Sequence, residues 1–431
     1  MKNSHPFPVA QALHGAIAVT VLLAFSAGAA DTAGSKDWNQ WRGPNRDAIS
    51  PETGLLKEWP AGGPKLEWDI RGLGSGLSSV VVVQGKLFTM GNSAGGQCVE
   101  AIDLATQKIL WKSKVGPAND GAHSTPAVDG NRVYAFGTAT DLVCVDAADG
   151  KEIWRKNLIK DFGAQSSGWN FSESPLVDGD KLLCTPGGNT ALMVALNKNS
   201  GEVLWKCVPP KPQETGAVGH ASIVVSEGAG VRQYVTLTAR GAVSVAAEDG
   251  KLLWVYRRIA NGTANIPTPV AQGDYVFVST AYGAGAALLK LSKTAEGVKA
   301  DEVYFLPADT FQCHHGGFLR VGDYIYGANG HNAGKPSCIE MATGKIMWSE
   351  KQPGGGSGSV IYADGNLYFR YENDQVALIE ANPKSYVLKG SFKIPNRPGA
   401  DGPGWAHPVI QDGKLYIRHN DVLFCYDVKG K

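Results

Sequence analysis

Seven histidines follow residue 30 of this 431-residue chain, and they are the polar residues best suited to chemistry. An imidazole titrates near neutral pH and can bind a transition metal, move a proton or hydrogen-bond an anion. All seven fall in connections around predicted strands: His123, His220, His314, His315, His331, His407 and His419. We expect these connections to share one face, called the top face here, where the imidazoles could line the mouth of a funnel. The alternative is that each imidazole hydrogen-bonds a backbone carbonyl and shapes its own loop.

Other side chains in the same class of connection could complete a ligand site. Trp169 and Trp405 could stack on a ring-shaped ligand, or could cover the core as lids. The acidic candidates on the same face are Glu173, Asp309, Glu372, Asp374 and Asp421. The predicted top-face ligand residues are His123, Trp169, Glu173, His220, His315, Trp405 and His407.

A metal ion is a narrower hypothesis. It needs at least three donor atoms within about 2.0 to 2.2 Å of one point, and only neighbouring loops could supply them. The candidates are His314, His315 and His331. Because His314 and His315 are adjacent, an extended backbone would point them in opposite directions and only one would face the axis. The sequence therefore favours a small organic or anionic ligand over a bare metal.

A repeat along the chain must position these residues. Each copy is a β-branched strand that ends in a turn of the type Asp-x-x-(Thr/Asp)-Gly-Lys and is followed by Trp. The tryptophans of the repeat are Trp68, Trp111, Trp154, Trp205, Trp254 and Trp348. Successive intervals are 43 to 51 residues, apart from the last, which is twice 47. A period of this length, with strands that alternate apolar and polar residues, is typical of a four-stranded propeller blade.

The repeat also fixes residue types. A tight hairpin with positive φ favours glycine, which the repeat supplies at Gly150, Gly201, Gly250 and Gly344. The side chain ten residues before each Trp is small, which we attribute to close approach of adjacent blades. Cys144 and Cys338 occupy this position, Cys425 occupies the equivalent position of the last blade, and all three are predicted to be buried and reduced.

Eight such units fit the chain, so the predicted fold is an all-β, eight-bladed propeller of four-stranded antiparallel blades. The eighth blade ends near Tyr426 without its Trp strand. The missing outer strand is available at the other end as Leu66-Glu67-Trp68, which we expect to pair with the strand from Leu423 to Tyr426. The predicted organisation is a signal peptide over 1–30, a leader strap over 31–63 and one propeller domain over 64–431.

The first thirty residues resemble an export signal. Lys2 is followed by the apolar run 16–25 and by the small residues 26–30, an arrangement typical of a cleavable signal peptide. No cysteine lies near the cleavage site and no second apolar stretch could cross a bilayer, so we expect a periplasmic or secreted protein that is not a lipoprotein. With 41 basic and 40 acidic residues, the charge argues against nucleic-acid binding. A monomer is expected.

The Asp-x-x-Thr-Gly-Lys-x-x-Trp repeat resembles the pyrroloquinoline-quinone (PQQ) repeat over about residues 64 to 427. That repeat is shared by quinoprotein alcohol dehydrogenases, by a bacterial outer-membrane assembly lipoprotein and by many uncharacterised exported propellers. The leader, residues 38–47, is similar to a Trp-x-x-(Phe/Trp)-Arg-Gly-Pro segment of the uncharacterised group. The resemblance implies the fold, whereas function depends on the site.

Three functions follow from the resemblance. The favoured one is an exported scaffold that binds a small-molecule ligand or an envelope protein partner through its top face. A PQQ-dependent alcohol or sugar dehydrogenase is the first alternative, and an envelope assembly factor is the second. The dehydrogenases carry two adjacent cysteines over the cofactor and a calcium-binding set of Glu, Asn and Asp. This sequence has no adjacent cysteine pair, and the calcium set has no matching positions, which argues against PQQ with calcium and leaves enzymatic activity open.

Overall fold

The computed structural model describes residues 37–93, 95–165, 168–351 and 353–430. The predicted signal peptide lies outside the described residues. Eight four-stranded antiparallel sheets follow one another in a ring, so the chain forms an eight-bladed β-propeller, as the repeat predicts. Within the described ranges, no helix is long and apolar enough to cross a membrane.

The strands follow the chain in order, apart from the first two. Two strands precede the first blade: β1 (Ile49–Ser50) and β2 (Lys65–Ile70). Blades 1 and 2 contain β3 (Val81–Val83), β4 (Lys86–Ser93), β5 (Gly96–Asp103), β6 (Lys108–Gly116), β7 (Ala127–Asp129), β8 (Arg132–Phe136), β9 (Asp141–Asp146) and β10 (Glu152–Asn157). Blades 3 and 4 contain β11 (Leu176–Asp178), β12 (Lys181–Cys184), β13 (Met193–Asn197), β14 (Val203–Cys207), β15 (Val224–Ser226), β16 (Gln233–Thr238), β17 (Gly241–Ala246) and β18 (Leu252–Tyr256).

The second half of the ring repeats this order. Blades 5 and 6 contain β19 (Val270–Gln272), β20 (Tyr275–Thr280), β21 (Gly285–Thr294), β22 (Gly297–Leu306), β23 (Cys313–Val321), β24 (Tyr324–Asn329), β25 (Lys335–Glu340) and β26 (Ile346–Ser349). Blades 7 and 8 contain β27 (Gly358–Ala363), β28 (Asn366–Tyr371), β29 (Gln375–Glu380), β30 (Leu388–Lys393), β31 (Val409–Gln411), β32 (Lys414–His419) and β33 (Val422–Asp427). The helical segments are short: α1 (Leu158–Phe162), α2 (Pro212–Thr215) and the 3-10 turn Gly228–Gly230.

The predicted closure of the ring is confirmed. β2 pairs antiparallel with β33 and supplies the outer strand of blade 8, with Leu66 opposite Tyr426 and Trp68 opposite Cys425. This pairing removes a strand edge that would otherwise be exposed. The last blade is therefore built from both ends of the described chain.

The small residue of each repeat lies directly across from the repeat's own tryptophan. Cys144 pairs with Trp154 and Cys338 pairs with Trp348 in the strand register. The small side chain thus lies beside an indole of its own blade, and Cys144 also shares a buried cluster with Leu182 and Cys184 of the next blade, so close approach of adjacent blades stays our interpretation. Cys144, Cys338 and Cys425 are fully buried and free, as predicted.

The tryptophans also join neighbouring blades. Trp111 of blade 1 donates its Nε1–H to the carbonyl of Ala147 in blade 2, at 3.4 Å, and its ring covers Gly150 of that blade. Trp154 contacts blade 3 in the same manner, through Lys198 and Gly201. The hairpin glycine is therefore required twice, for its positive φ and for the space that the indole occupies.

We expect Gly150→Ala to destabilise the propeller by about 1–3 kcal/mol more than Gly85→Ala does. Both glycines have φ of +75°, so each substitution incurs the same backbone strain. A Cβ on Gly150 would lie 2.6 Å from Cε3 of Trp111, whereas a Cβ on Gly85 meets nothing within 4 Å. Urea unfolding of the two variants measures the difference. Equal losses of stability would mean that the contact between Trp111 and Gly150 is unimportant.

The leader lies where the first strands of the blades converge, at the axis of the ring. The Trp38 carbonyl accepts a hydrogen bond from Val82 in blade 1 at 2.8 Å, and Asn39 accepts one from Val128 in blade 2 at 2.8 Å. Farther along, β1 pairs in parallel with β27 of blade 7. The leader thus occupies the central channel rather than only crossing a surface. Trp38 is buried, whereas Trp41 stays partly exposed.

Candidate functional site

A cavity of about 170 Å³ lies above the leader, among the connections into the blades. The residues that line it come from the connections to blades 1 to 6 and 8 and from the leader itself, so only the closed ring could assemble them. Its ionisable and aromatic lining residues are Trp41, Arg42, His123, Trp169, His220, Tyr282, His314, His315, Trp405 and His407. Seven of these ten were candidates from the sequence, and three were not.

Two of the sequence-predicted residues lie away from the cavity wall. Glu173 is fully buried, where its carboxylate accepts hydrogen bonds from the backbone and hydroxyl groups of Thr185. Burial raises the pKa of Glu173 to about 8, and the nearby Arg46 opposes that shift. His331 stacks on His314 with ring centroids 4.6 Å apart. Glu173 therefore packs beneath the cavity, and His331 lies behind one of its walls.

His314 and His315 both line the cavity, although an extended backbone would separate them. Their ring centroids are only 4.2 Å apart. The pairing of β23 with β24 is interrupted here, because Cys313 pairs with Asn329 and the next regular pair is Phe318 with Gly327. Gly317, with φ of +71°, lies within this irregularity. The expectation that only one imidazole faces the axis was wrong because a bulge breaks the alternation of side chains.

Arg42 is the charged residue of the cavity that sequence reasoning missed. It has a φ of 62° in the leader turn, and its side chain is only 3% exposed. One guanidinium nitrogen, Nη2, donates to the carbonyl of Phe318 at 2.5 Å. Within the described part of the chain, Nε and Nη1 have no hydrogen-bond partner. Burial lowers the pKa of Arg42 to about 10, so the group is still a cation at neutral pH.

Three imidazoles of the cavity, those of His220, His314 and His407, are neutral at the same pH. Burial, with a smaller contribution from the neighbouring Arg42 cation, lowers the pKa of His407 to about 3. Burial likewise lowers the pKa of His220 to about 4 and of His314 to about 3. Arg42 therefore provides the fixed positive charge of the cavity, and these imidazoles provide neutral donors and acceptors.

Two histidines of the cavity wall form a compact group with a carboxylate that lies outside the lining. One ligand atom from each of His314, His315 and Glu372 lies within 4.8 Å of the others. His314 Nδ1 is 2.8 Å from Ser357 Oγ, and its Nε2 is 2.9 Å from Tyr282 Oη. Of the predicted metal candidates, the structure therefore groups His314 and His315 with Glu372, while His331 contributes a ring contact.

Calcium with a quinone, the cofactor set of the dehydrogenases that the repeat resembles, does not fit these residues. Calcium takes six to eight oxygen ligands, mainly from carboxylates and carbonyls. Among the lining residues that the structure describes there is no carboxylate, whereas there are five imidazoles and a guanidinium. The donor set is therefore that of a site for an anion or a transition metal.

A larger, more open groove lies elsewhere on the propeller, with a volume of about 680 Å³. Its lining residues are mostly small or amide side chains, and Arg240 is the ionisable one among those described. It brings together neither imidazoles nor aromatic rings. The smaller axial cavity is therefore the better candidate for chemistry.

Comparison with known proteins agrees with the repeat. A family model described as outer membrane protein assembly factor BamB matches residues 95–350. The BamB of Shewanella oneidensis is 26% identical over 263 residues, which cover 57% of this chain and 61% of that protein. The quinoprotein alcohol dehydrogenase PedH of Pseudomonas putida is 29% identical over 133 residues, or 28% of this chain and 21% of that protein. The chain thus spans less than two thirds of the length of these relatives.

Solved structures share the architecture. BamB from Moraxella catarrhalis superposes with a TM-score of 0.59 at 14% identity, covering 85% of this chain and 98% of that one. Quinohemoprotein alcohol dehydrogenase from Comamonas testosteroni gives a TM-score of 0.65 at 14% identity, covering 93% and 82%. At this identity the likeness concerns the fold, and function has to be argued from the cavity.

Proposed function

The chain belongs to the family described as outer membrane protein assembly factor BamB, a family of PQQ-like propellers, and from this premise we propose that it is an exported propeller that binds a small anionic ligand in its axial cavity. The observation that carries the proposal is the buried guanidinium of Arg42. A cation taken out of water is costly unless it is paired, and the nearby Asp47 carboxylate offsets only part of that cost, since the pKa of Arg42 is still lowered. Its Nε and Nη1 have no hydrogen-bond partner in the described ranges, and Arg42 lies on the cavity wall. A carboxylate or phosphate in the cavity would pair with it.

The shape of the site favours a planar anion. Trp41 packs against His407 with ring centroids 4.5 Å apart, and Trp405 packs against His315 at 4.4 Å. Each pair presents aromatic surface beside polar ring nitrogens. His407 Nδ1 is buried and has no hydrogen-bond partner among the described residues, so it can also serve a ligand. An aromatic carboxylate satisfies the charge and the ring surface together.

The side chain of Arg42 is held in place by its surroundings. Gly317 lies directly beneath its guanidinium, so that a Cβ at this position would come within 2.6 Å of Nη1. The turn that carries Arg42 is closed by hydrogen bonds from Gly43 to Gln40 and from Arg46 to Gly43, both at 3.0 Å. A cation fixed in this manner loses little entropy on binding, which is a condition for recognition of a small ligand.

We expect benzoate to bind at the cavity and its neutral isostere benzamide to bind at least about tenfold more weakly. Arg42→Lys should weaken benzoate binding by a similar factor, because Lys cannot reproduce the planar, two-nitrogen contact of Arg with a carboxylate. Titration followed by tryptophan fluorescence reports binding, since Trp41, Trp169 and Trp405 line the cavity. Inorganic phosphate, titrated in parallel, distinguishes a preference for carboxylate from a preference for phosphate.

Arg46→Lys is the matched control. Arg46 belongs to the same leader turn and is equally buried, but it does not line the cavity, and its guanidinium donates to the carbonyls of Ser174 and Pro175 at 3.0 Å. This variant should keep the affinity for benzoate. The proposal is wrong if neither benzoate nor phosphate binds, or if both arginine variants reduce the affinity equally.

Envelope assembly is the second candidate function, and the family match over residues 95–350 favours it. In that case the propeller acts by contacting an envelope protein, and the charge of Arg42 is not required. Complementation of a strain that lacks this protein separates the two functions. Rescue by Arg42→Lys to the wild-type level would favour assembly, and failure of a stable Arg42→Lys protein would favour the ligand.

A further inference from the structure

We propose that His314, His315 and Glu372 form a binding site for a divalent transition-metal ion at the wall of the axial cavity. This site is separate from the anion contact of Arg42 and does not depend on the proposed function. Two imidazoles and one carboxylate are a donor set that zinc and its neighbours in the first transition row accept, leaving one position open. Calcium and magnesium prefer oxygen ligands and are not the expected ions.

The separation of one pair of donor atoms matches that of a metal site, and the His314 donor lies within 4.8 Å of both, so a small shift of its ring would complete the set. Two ligands about 2.1 Å from one metal ion, with a bond angle between 90° and 109°, are separated by about 3.0 to 3.4 Å. His315 Nε2 and Glu372 Oε1 are 3.0 Å apart. The same two atoms form an imidazole–carboxylate ion pair at this distance, which a bound ion would replace. The pair therefore has the separation of two ligands that share an ion.

Outer contacts orient the ligands as they do in metalloproteins. The Nδ1 of His314 is 2.8 Å from Ser357 Oγ, a contact that fixes the ring and turns Nε2 toward Tyr282 at the cavity. The Nε1–H of Trp405 donates to Glu372 Oε1 at 2.8 Å. Such partners hold first-sphere ligands in place, and their loss typically lowers metal affinity about 10–100-fold.

The site opens toward the cavity. His314 and His315 line it together with Tyr282, whose hydroxyl approaches His314 from that side. The fourth position on the ion is therefore available to the Tyr282 oxygen, to water or to a ligand that enters the cavity. His123 and His220 line other parts of the same wall and lie outside the compact group.

The test is a titration of tag-free, chelator-treated protein with Zn²⁺ by calorimetry. We expect one ion per chain with a Kd of about 1 µM or tighter. His315→Gln and Glu372→Gln should each weaken binding at least about a hundredfold, and Trp405→Phe about tenfold. Titration with Co²⁺ adds a spectroscopic readout, because nitrogen and oxygen ligation at a four-coordinate site gives intense visible bands that hydrated Co²⁺ lacks.

His331→Gln and His123→Gln are the matched controls. His331 stacks on His314 but lies outside the compact group, and His123 lies elsewhere on the cavity wall. Both variants should keep the wild-type Zn²⁺ affinity. Circular dichroism of each metal-free variant checks that it is folded. If a ligand variant does not fold, the Co²⁺ spectrum of Trp405→Phe, compared with that of the wild type, provides the test instead. The proposal is overturned if the protein binds no ion, or if the control variants lose affinity as much as His315→Gln does.

Discussion

Deletion of residues 37–70 is expected to leave the chain without a cooperatively folded state. The deleted segment buries Trp38, Trp59 and Ile70, each 7% exposed or less, and it supplies the outer strand of blade 8. Truncating one buried Trp alone costs about 3–5 kcal/mol, and a whole domain is stable by only about 5–15 kcal/mol. The deletion also leaves β33 with an unpaired edge. Circular dichroism and thermal unfolding measure the loss.

Single substitutions make the same point without removing the strand. Trp38→Ala should cost about 3–5 kcal/mol, whereas Trp169→Ala should cost little because Trp169 is 56% exposed. The ratio of the two effects isolates the contribution of the leader to the core. A deletion variant that unfolds within a few degrees of the full chain would contradict the structural role of the leader.

The fold could be predicted because its determinants are local in the sequence. A hairpin glycine such as Gly150 and the following Trp154 repeat with the length of one blade, and each blade copies the same contacts. The closure by β2 followed from a simple count, since blade 8 lacks a strand and residues 66–68 match the missing one. The repeat pattern alone did not show that the small residue also lies opposite the Trp of its own blade.

The cavity could be predicted in part. Register along the repeat placed the connections on one face, and the ring then brought His123, His220 and His407 to one cavity wall. Arg42 was not predicted as a cavity residue because the leader is outside the repeat. The register of the repeat therefore gives no position for the Arg42 side chain. The motif Trp41-Arg42-Gly43 was visible in the sequence, but its position in the central channel depends on hydrogen bonds to distant blades.

Local backbone irregularity accounts for the remaining differences. His314 and His315 share a wall because the chain bulges before Phe318, which the alternation of side chains along a strand does not predict. Glu173 belongs to a predicted top-face connection. Thr185, the residue after β12, nevertheless holds the Glu173 carboxylate within the blade by two hydrogen bonds. Tertiary contacts of this kind set the direction of a side chain within a connection. The register of the repeat therefore predicts which face of the propeller a residue lies on, but not whether its side chain lines the cavity.

We expect acid to destabilise the propeller through His220, and this follows from the way the cavity is built. The side chain is 7% exposed, and its backbone N–H donates to the Asn265 carbonyl at 2.8 Å in the connection to blade 5. Burial, with a smaller contribution from His123, lowers the pKa of His220 from 6.5 to about 4. The unfolded chain therefore takes up a proton at a higher pH than the folded protein does. Stability from this group is complete above pH 6.5 and falls as the pH drops toward 4, by about 1.4 kcal/mol per pH unit and about 3 kcal/mol in all.

Urea unfolding of chelator-treated protein between pH 7.5 and pH 4 measures this effect, and His220→Gln provides the comparison. The variant should lose about 3 kcal/mol less than the wild type over that window, because Gln does not titrate and the remaining groups are unchanged. Between pH 7 and pH 8 His220 is neutral in both the folded and the unfolded chain, so the difference in stability between the two proteins should be constant there. That range is the internal control, since it separates the packing cost of the substitution from the proton linkage. Parallel stability curves for wild type and His220→Gln down to pH 4 would show that the imidazole takes up its proton equally well in both states, and that the cavity does not exclude its charge.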